Sequence, residues 1–362
     1  MARIAILGSG IMASALTVPL ADNCHDIRLV GTHLDREIID SLNATGLHPD
    51  LQLKLPDSVH AYQLEEAEAA FRGAEVVLSG VNSFGVRWAG EQLAALLRPG
   101  MLVIAIAKGM DANELGDLRI LPEVLADQVP TDLRSRVSWS AIVGPSIAGE
   151  VALRRHTCVT FAGRQQAALD RLAAIFRTDR YHVWTSTDVL GSEVCAAMKN
   201  CYALSVGFAE GDLERHAETD GQYRAHNYEA ALFGQGAIET GQMLRLLGGR
   251  PETAYGLAGV GDMYVTSAGG RNVSVGRLIG TGLTFAEAHE RLGLHITLEG
   301  AAAIRVIGAA IHRLTERGVV AASDFPLMRA LYDVIGDGRQ LKIPWESLFG
   351  GEPKAEVPID CS

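Results

Sequence analysis

Short apolar runs rich in branched side chains recur through the first half of the chain, at residues 3–7 (RIAIL), 27–31 (IRLVG), 75–81 (EVVLSGV) and 101–107 (MLVIAIA). Stretches with a helical pattern separate them, at 11–21, 35–43, 64–72 and 85–97. A near-continuous apolar strand is one buried on both faces, so this alternation predicts a parallel sheet with helices on either side. Two further runs, 137–143 (VSWSAIV) and 157–162 (TCVTFA), continue the sheet and flank a helical turn in GPSIAGEVAL. Past residue 186 the character changes. STDVLGSEVCAAMKNCYALSVGF, NYEAALFGQGAIETGQMLRLLGG, TFAEAHERLG and EGAAAIRVIGAAIHRLTERG keep helical periodicity with no strand among them. The pattern therefore predicts a doubly wound α/β domain over 1–188, an all-helical domain over 189–342, and a tail over 343–362 that reads as a mobile end.

Composition narrows the class. A chain of 362 residues, 48% of them hydrophobic, is long enough for two domains and a sizeable core. A net charge of −11 argues against a nucleic-acid binder. No apolar run approaches the roughly 20 residues that cross a bilayer. The chain starts directly as strand and turn (MARIAILGSG), without the pattern of a secretory signal. Its five cysteines (Cys24, Cys158, Cys195, Cys201 and Cys361) are scattered, with no C-x-x-C pair. A reduced, cytoplasmic setting is the expectation. No H-E-x-x-H or similar spacing is present, and no catalytic metal is expected.

GSGIMA, Gly8 to Ala13, follows the first strand and opens a helix. It is the G-x-G-x-x-A form of the dinucleotide fingerprint. Gly8 allows the tight turn, Gly10 lets backbone approach a pyrophosphate, and Ala13 permits close helix–strand packing. This context predicts a Rossmann-type fold for the first domain; the alternative is a glycine-rich turn that binds nothing. The end of the second strand lacks the acid that usually holds the ribose of NAD, having Gly31, Thr32 and His33 there. Thr32 and Arg36 would suit the extra phosphate of NADP, or simply begin a solvated helix. NAD and NADP both stay open.

Arginine heavily outnumbers lysine, of which there are five: Lys54, Lys108, Lys199, Lys342 and Lys354. Lys108 follows the fourth strand, where ligands of open α/β sheets lie, so it is placed to meet a substrate; a surface lysine on a turn is the alternative. Lys199 sits within an apolar helical stretch with no acid three or four positions away. Asp262 lies in an apolar, glycine-rich segment where an unpaired charge is costly. A Lys199–Asp262 pair would be an acid/base unit able to protonate a carbonyl oxygen while hydride attacks its carbon. A lysine snorkelling to the surface is the bland alternative. Arg271 and Asn272 follow a glycine pair that would expose them, and arginine is the fork suited to phosphate.

These residues carry a family resemblance over nearly the whole chain. GSGIMASAL, AKGM, GPSIAGEVA, MKN, GVGDMYVTSAGGRN, LEG near residue 300 and DFPLMRALYDVI stand in the order of the NAD(P)-dependent glycerol-3-phosphate dehydrogenase motifs. The resemblance implies an NAD- or NADP-dependent oxidoreductase and a small phosphorylated polyol substrate. It further implies a homodimer, with no nucleic-acid or membrane partner. Lys199 would be the general acid/base, with Asp262 and Lys108 at the catalytic centre. Lys108, Thr266, Arg271 and Asn272 would hold substrate. The cofactor would meet Gly8, Ser9, Gly10, Ile11, Met12 and Ala13, together with Lys108, Ala148, Arg271 and Glu299.

Departures from the family pattern bear on substrate choice. Met12 replaces an aromatic residue and Ala13 a glycine. The counterpart of the family's asparagine–threonine–lysine stretch, NYEAAL, starts only at Asn227, where the polar stretch GDLERHAETDGQYRAHN ends. Glu229 stands for a lysine, and Gln235 where bacterial members often have arginine. The added segment 212–225 would read a larger polyol or form an exposed loop. Two alternatives to the default enzyme follow: a paralogue acting on a larger polyol or polyol phosphate, and a non-catalytic dinucleotide-binding redox sensor. Survival of Lys199, Asp262, Arg271 and Asn272 together disfavours the sensor.

Overall fold

The structure, a computed structural model, describes residues 1–113, 115–216 and 225–350; most of the expected insertion and the end of the tail lie outside the described residues. Its strands are β1 (Arg3–Leu7), β2 (Asp26–Val30), β3 (Leu47–His48), β4 (Leu53–Lys54), β5 (Val59–Tyr62), β6 (Val76–Ser79), β7 (Leu102–Ala105), β8 (Met110–Ala112), β9 (Leu118–Ile120), β10 (Ser138–Val143), β11 (Thr157–Gly163) and β12 (Tyr181–Ser186). Helices α1 (Ile11–Ala15), α2 (Thr17–Asp22), α3 (Arg36–Thr45), α4 (Ala67–Phe71), α5 (Val86–Leu96), α6 (Leu121–Asp127), α7 (Thr131–Arg134), α8 (Ala148–Ala152) and α9 (Gln166–Phe176) accompany them. Then come α10 (Val189–Arg215), α11 (His226–Leu247), α12 (Asp262–Ser267), α13 (Arg271–Gly280), α14 (Phe285–Leu292), α15 (Glu299–Glu316), α16 (Pro326–Asp337) and α17 (Trp345–Phe349).

The main sheet has the order β12-β11-β10-β7-β6-β1-β2-β5. Its side chains alternate between two cores, as a period of two requires. Ile4, Ile6, Leu29 and Leu78 pack with Leu16, Leu20, Ile39 and Leu169 on one face. Ala5, Leu7, Val30 and Val77 pack with Phe71, Leu93 and Leu125 on the other. Each large side chain so buried stabilises the fold by roughly 1.5–3 kcal/mol. The sheet is mixed, not wholly parallel, because β10 and β11 pair antiparallel while every other neighbour runs parallel. The helix expected over 11–21 is broken at Leu16, two residues before Val18-Pro19. Pro19 falls in the first turn of α2, where its missing N–H costs nothing.

The chain divides into two compact units. One comprises Met1–Asp111, Arg119–Ala196 and Gly256–Asp262; the other comprises Ala112–Leu118, Ala197–Tyr255 and the chain from Met263. In the second unit α10 and α13 touch through backbone. A Cβ on Gly207 would meet the Val273 carbonyl oxygen at 2.1 Å, and one on Gly276 would meet that of Leu204 at 2.0 Å. Fully buried Glu239 of α11 accepts from the Tyr202 hydroxyl at 2.8 Å, Gln235 Nε2 at 2.9 Å and the Leu327 and Met328 amides at 2.7 and 3.0 Å. This carboxylate thus joins α10 and α11 to the orphan N–H groups at the start of α16. Burial raises the Glu239 carboxyl above its usual range, and its four donors oppose that. Among the described residues no helix is long and apolar enough to cross a membrane, and no cluster of His, Cys, Asp and Glu has the geometry to hold a metal.

Candidate active site

The glycine-rich turn joins β1 to α1. Gly8 takes a φ of +104°, a conformation that other side chains rarely adopt, and its amide donates to the Val30 carbonyl at 2.8 Å. Gly10 is different: a Cβ there would meet nothing within 4 Å. Its hydrogen leaves open space over the turn, which fits a pyrophosphate lying close against backbone. Ala13 is buried, and a Cβ on Gly80 would lie 2.6 Å from its methyl group. The close packing that the third fingerprint position normally secures is therefore provided by Gly80, at the end of β6, and an alanine fits at residue 13.

Two supports of this turn were not foreseen from the sequence. Ser9 donates its amide to Asp35 Oδ2 at 3.1 Å, and the same oxygen accepts the Thr32 amide at 2.8 Å. The Ser9 carbonyl accepts from Ser14 Oγ at 3.0 Å and from His48 Nε2 at 2.8 Å. His48 is fully buried; its Nδ1 accepts the Leu51 amide at 3.2 Å, which leaves Nε2 to donate to the Ser9 carbonyl. Nothing in the spacing of Asp35 or His48 announces these contacts.

Glycine at residue 31 has a steric reason, since a Cβ would lie 2.7 Å from Ile39 Cγ1. An acid at that position would have to displace the Ile39 side chain of α3. Thr32 Oγ1 accepts the Leu34 amide at 3.2 Å, and exposed Arg36 pairs with Glu65. Ile11 is exposed and Met12 half-buried, its sulfur 3.8 Å from Ser146 Oγ. Ala148 opens α8, which packs against α1.

Lys108 follows β7 and enters the same unit's polar centre. Its Nζ donates to Asp262 Oδ2 at 2.8 Å and to the Gly144 carbonyl at 3.1 Å, while the Gly144 amide donates to Asp262 Oδ2 at 3.2 Å. The Asp262 side chain is 2% exposed and that of Lys108 19%. Asp262 reaches this position because the wide turn Leu257–Gly261 packs against β11 before α12 begins. The sequence pointed to Lys199 as the partner of Asp262; Lys108 is a partner it did not indicate. The signal was present only in part, as an apolar segment in which a carboxylate must find a cation.

In the second unit Lys199 is 7% exposed on α10. Its neighbour Asn200 accepts from Asn272 Nδ2 at 3.2 Å through Oδ1, and Asn272 Oδ1 accepts the Gly300 amide at 3.1 Å. A Cβ on Gly300 would lie 2.5 Å from the Asn200 carbonyl oxygen, so glycine lets the start of α15 approach α10. Asn272 is thus bonded to both α10 and α15, and Asn200 joins the candidate residues. Arg271 is exposed at the start of α13, directly after Gly270 with its φ of +102°. Glu299 is the half-buried first residue of α15, and Thr266 is half-buried on α12.

Comparison with known proteins agrees with these features. Residues 3–169 match the model of the NAD-dependent glycerol-3-phosphate dehydrogenase N-terminus, and residues 188–345 that of its C-terminus. The chain is 36% identical over 289 residues to the NADP(+)-dependent glycerol-3-phosphate dehydrogenase of Archaeoglobus fulgidus, covering 80% of this chain and 83% of that protein. It is 33% identical to a glycerol-3-phosphate dehydrogenase [NAD(P)+] of Bacillus cereus, over 99% of this chain and 98% of the other. Its fold is similar to the crystal structure of glycerol-3-phosphate dehydrogenase from Coxiella burnetii, with a TM-score of 0.76 at 26% identity over 95% of this chain and 97% of that one. A glycine turn with room for a pyrophosphate, a half-buried lysine–aspartate pair and an asparagine-braced helix start accordingly lie within an NAD(P)-dependent dehydrogenase, and the chain belongs to the glycerol-3-phosphate dehydrogenase family.

Proposed function

We propose that this enzyme interconverts sn-glycerol 3-phosphate and dihydroxyacetone phosphate, with Lys199 as general acid/base. The observation that carries the proposal is the buried Lys199 beside Asn200, which is bonded to Asn272, next to the exposed Arg271. A buried lysine and an exposed arginine fork thus stand at two positions tied by one asparagine pair, as a proton-transfer group and a phosphate-binding group would need. Gly8, Ser9, Gly10 and the first turn of α1 would hold the dinucleotide, whose nicotinamide supplies the hydride chemistry when bound. Arg271 would take the substrate phosphate in a two-pronged contact. Thr266 and Lys108 would orient the polyol, and Glu299 and Ala148 would meet the cofactor.

In the oxidative direction Lys199 would accept the hydroxyl proton as the carbon loses hydride; in reduction it would return that proton to the carbonyl oxygen. Asp262 would supply the negative charge that holds the ammonium of its bonded partner Lys108. A homodimer and a cytoplasmic location complete the proposal. The inserted segment favours one second reading, a larger polyol phosphate as substrate.

Turnover assays on a panel of polyol phosphates, in wild type and in Lys199→Ala and Lys199→Arg, test the proposal. Glycerol 3-phosphate should rank first, and Lys199→Ala should bind cofactor yet lose on the order of 10²–10⁴-fold in turnover. Arginine should not rescue, because it does not release its proton near neutral pH. Near-normal turnover in a folded Lys199→Ala protein would exclude the acid/base role.

A further inference from the structure

One buried acid is used by nothing described so far. Glu193 lies near the start of α10 in the first unit, with none of its surface exposed. Among the described residues neither of its carboxyl oxygens has a hydrogen-bond partner, and the hydroxyl of adjacent Ser192, also fully buried, has none either. Apolar Ile120 and Ala162 pack against Val189 at this end of the helix. A carboxylate buried without a donor is costly, so the neutral acid is favoured. Burial pushes the carboxyl up to about 8, and the opposing influence is the charge of Lys108.

That cation already serves another acid. Lys108 donates to Asp262 at 2.8 Å and to the Gly144 carbonyl at 3.1 Å. Other titratable groups near this end of α10 are Asp262 at the start of α12, Asp188 just before α10 and Cys195 on α10 itself. Asp188 Oδ1 accepts the Gly191 amide at 3.0 Å, closing the first turn of α10. The Cys195 thiol is pushed up by burial first and by Asp188 and Asp262 next, so it stays neutral. The Lys108 charge therefore acts on two acids of unequal standing: Asp262 with donors in place, and Glu193 with none among the described residues.

We propose that Glu193 is a positioning residue for Lys108, a buried acid that leaves the ammonium with Asp262 while neutral and competes for it once ionised. The proton lost goes to solvent, and the Lys108 ammonium is then divided between two carboxylates. Its presentation to substrate changes with pH as a result. This rests on the substrate-orienting role of Lys108 given above.

The test follows the Michaelis constants for glycerol 3-phosphate and for NADH from about pH 6 to about pH 10, in wild type and Glu193→Gln. Glutamine copies the neutral acid and cannot ionise. Wild type should show an inflection in the substrate KM near pH 8, with a change of roughly fivefold or more, while the NADH value stays level. Glu193→Gln should lose the inflection. Infrared spectra of the resting wild-type enzyme supply a measurement that needs no variant: a protonated-carboxyl band should be present at the acid end and vanish with the same midpoint. Superimposable KM profiles in the two proteins, or no such band at the acid end, would overturn the proposal. Lys108→Ala separates it from the role on which it depends. If that variant raises the substrate KM at every pH while Glu193→Gln changes nothing, the Glu193 proposal fails and the role of Lys108 stands. If Lys108→Ala leaves the substrate KM unchanged, both fail.

Discussion

Replacing Gly207 by alanine adds a single methyl group, and the structure assigns it a large effect. The new carbon would lie 2.1 Å from the Val273 carbonyl oxygen, whereas real Cβ contacts begin at about 3.0 Å. The obstacle is backbone of α13, so no side chain can swing away. Gly211 faces the Arg277 carbonyl in the same way at 1.9 Å, and Gly280 faces that of Phe208 at 2.4 Å. The two helices must therefore separate along their length. Overpacking of this kind costs typically 1–3 kcal/mol, and rigid backbone on the far side places it at the upper end. Alanine returns about 1 kcal/mol through its better helix propensity. The expected net loss is about 2 kcal/mol. Moving α13 also strains the 3.2 Å bond from Asn272 to Asn200, so the substrate KM should rise along with the instability. Gly234→Ala on α11 is the control, because a Cβ there meets nothing within 4 Å. It gains the same propensity without the clash and should be more stable than wild type by up to about 1 kcal/mol. Urea unfolding of the three proteins at equal concentration measures both effects. A Gly207→Ala protein as stable as wild type, or as stable as Gly234→Ala, would refute the backbone contact.

Gly10→Val should weaken NADH and NADPH together while leaving the melting temperature near wild type, since its side chain enters open space needed only by the pyrophosphate; titration with unchanged affinity for both would mean the loop is only a turn. Arg36→Ala should weaken NADPH far more than NADH if Arg36 leaves Glu65 for a ribose phosphate, and an equal effect on the two coenzymes would sink that assignment.

Local chemistry was legible without coordinates. The runs at 3–7, 27–31, 75–81 and 101–107 contain strands because burial on both faces leaves few polar positions, and that signature survives whatever the neighbours are. The turn at Gly8 is equally local, since the positive φ it takes is one that glycine adopts without strain. The resemblance that led to Lys199, Arg271 and Asn272 likewise rests on short ordered motifs. Periodicity reports which way a side chain faces and not which strand lies beside it. The antiparallel pairing of β10 with β11 and the edge strand β5 were invisible for that reason.

Partners were another matter. Lys108 meets Asp262 across 154 positions of sequence, and no pattern in either segment names the other. Asp35 and His48 brace the glycine turn from 26 and 39 positions away. Glu193 sits in an apolar stretch and looked like part of an ordinary helix until its burial without a donor appeared. The glycines of α10 and α13 read as weak helix formers, yet together they let two backbones touch. A sequence states the conformation and the polarity that each segment prefers, because both follow from neighbouring side chains and water. Which charges neutralise one another, and which backbones come close enough to exclude a methyl group, depends on where the chain returns in space.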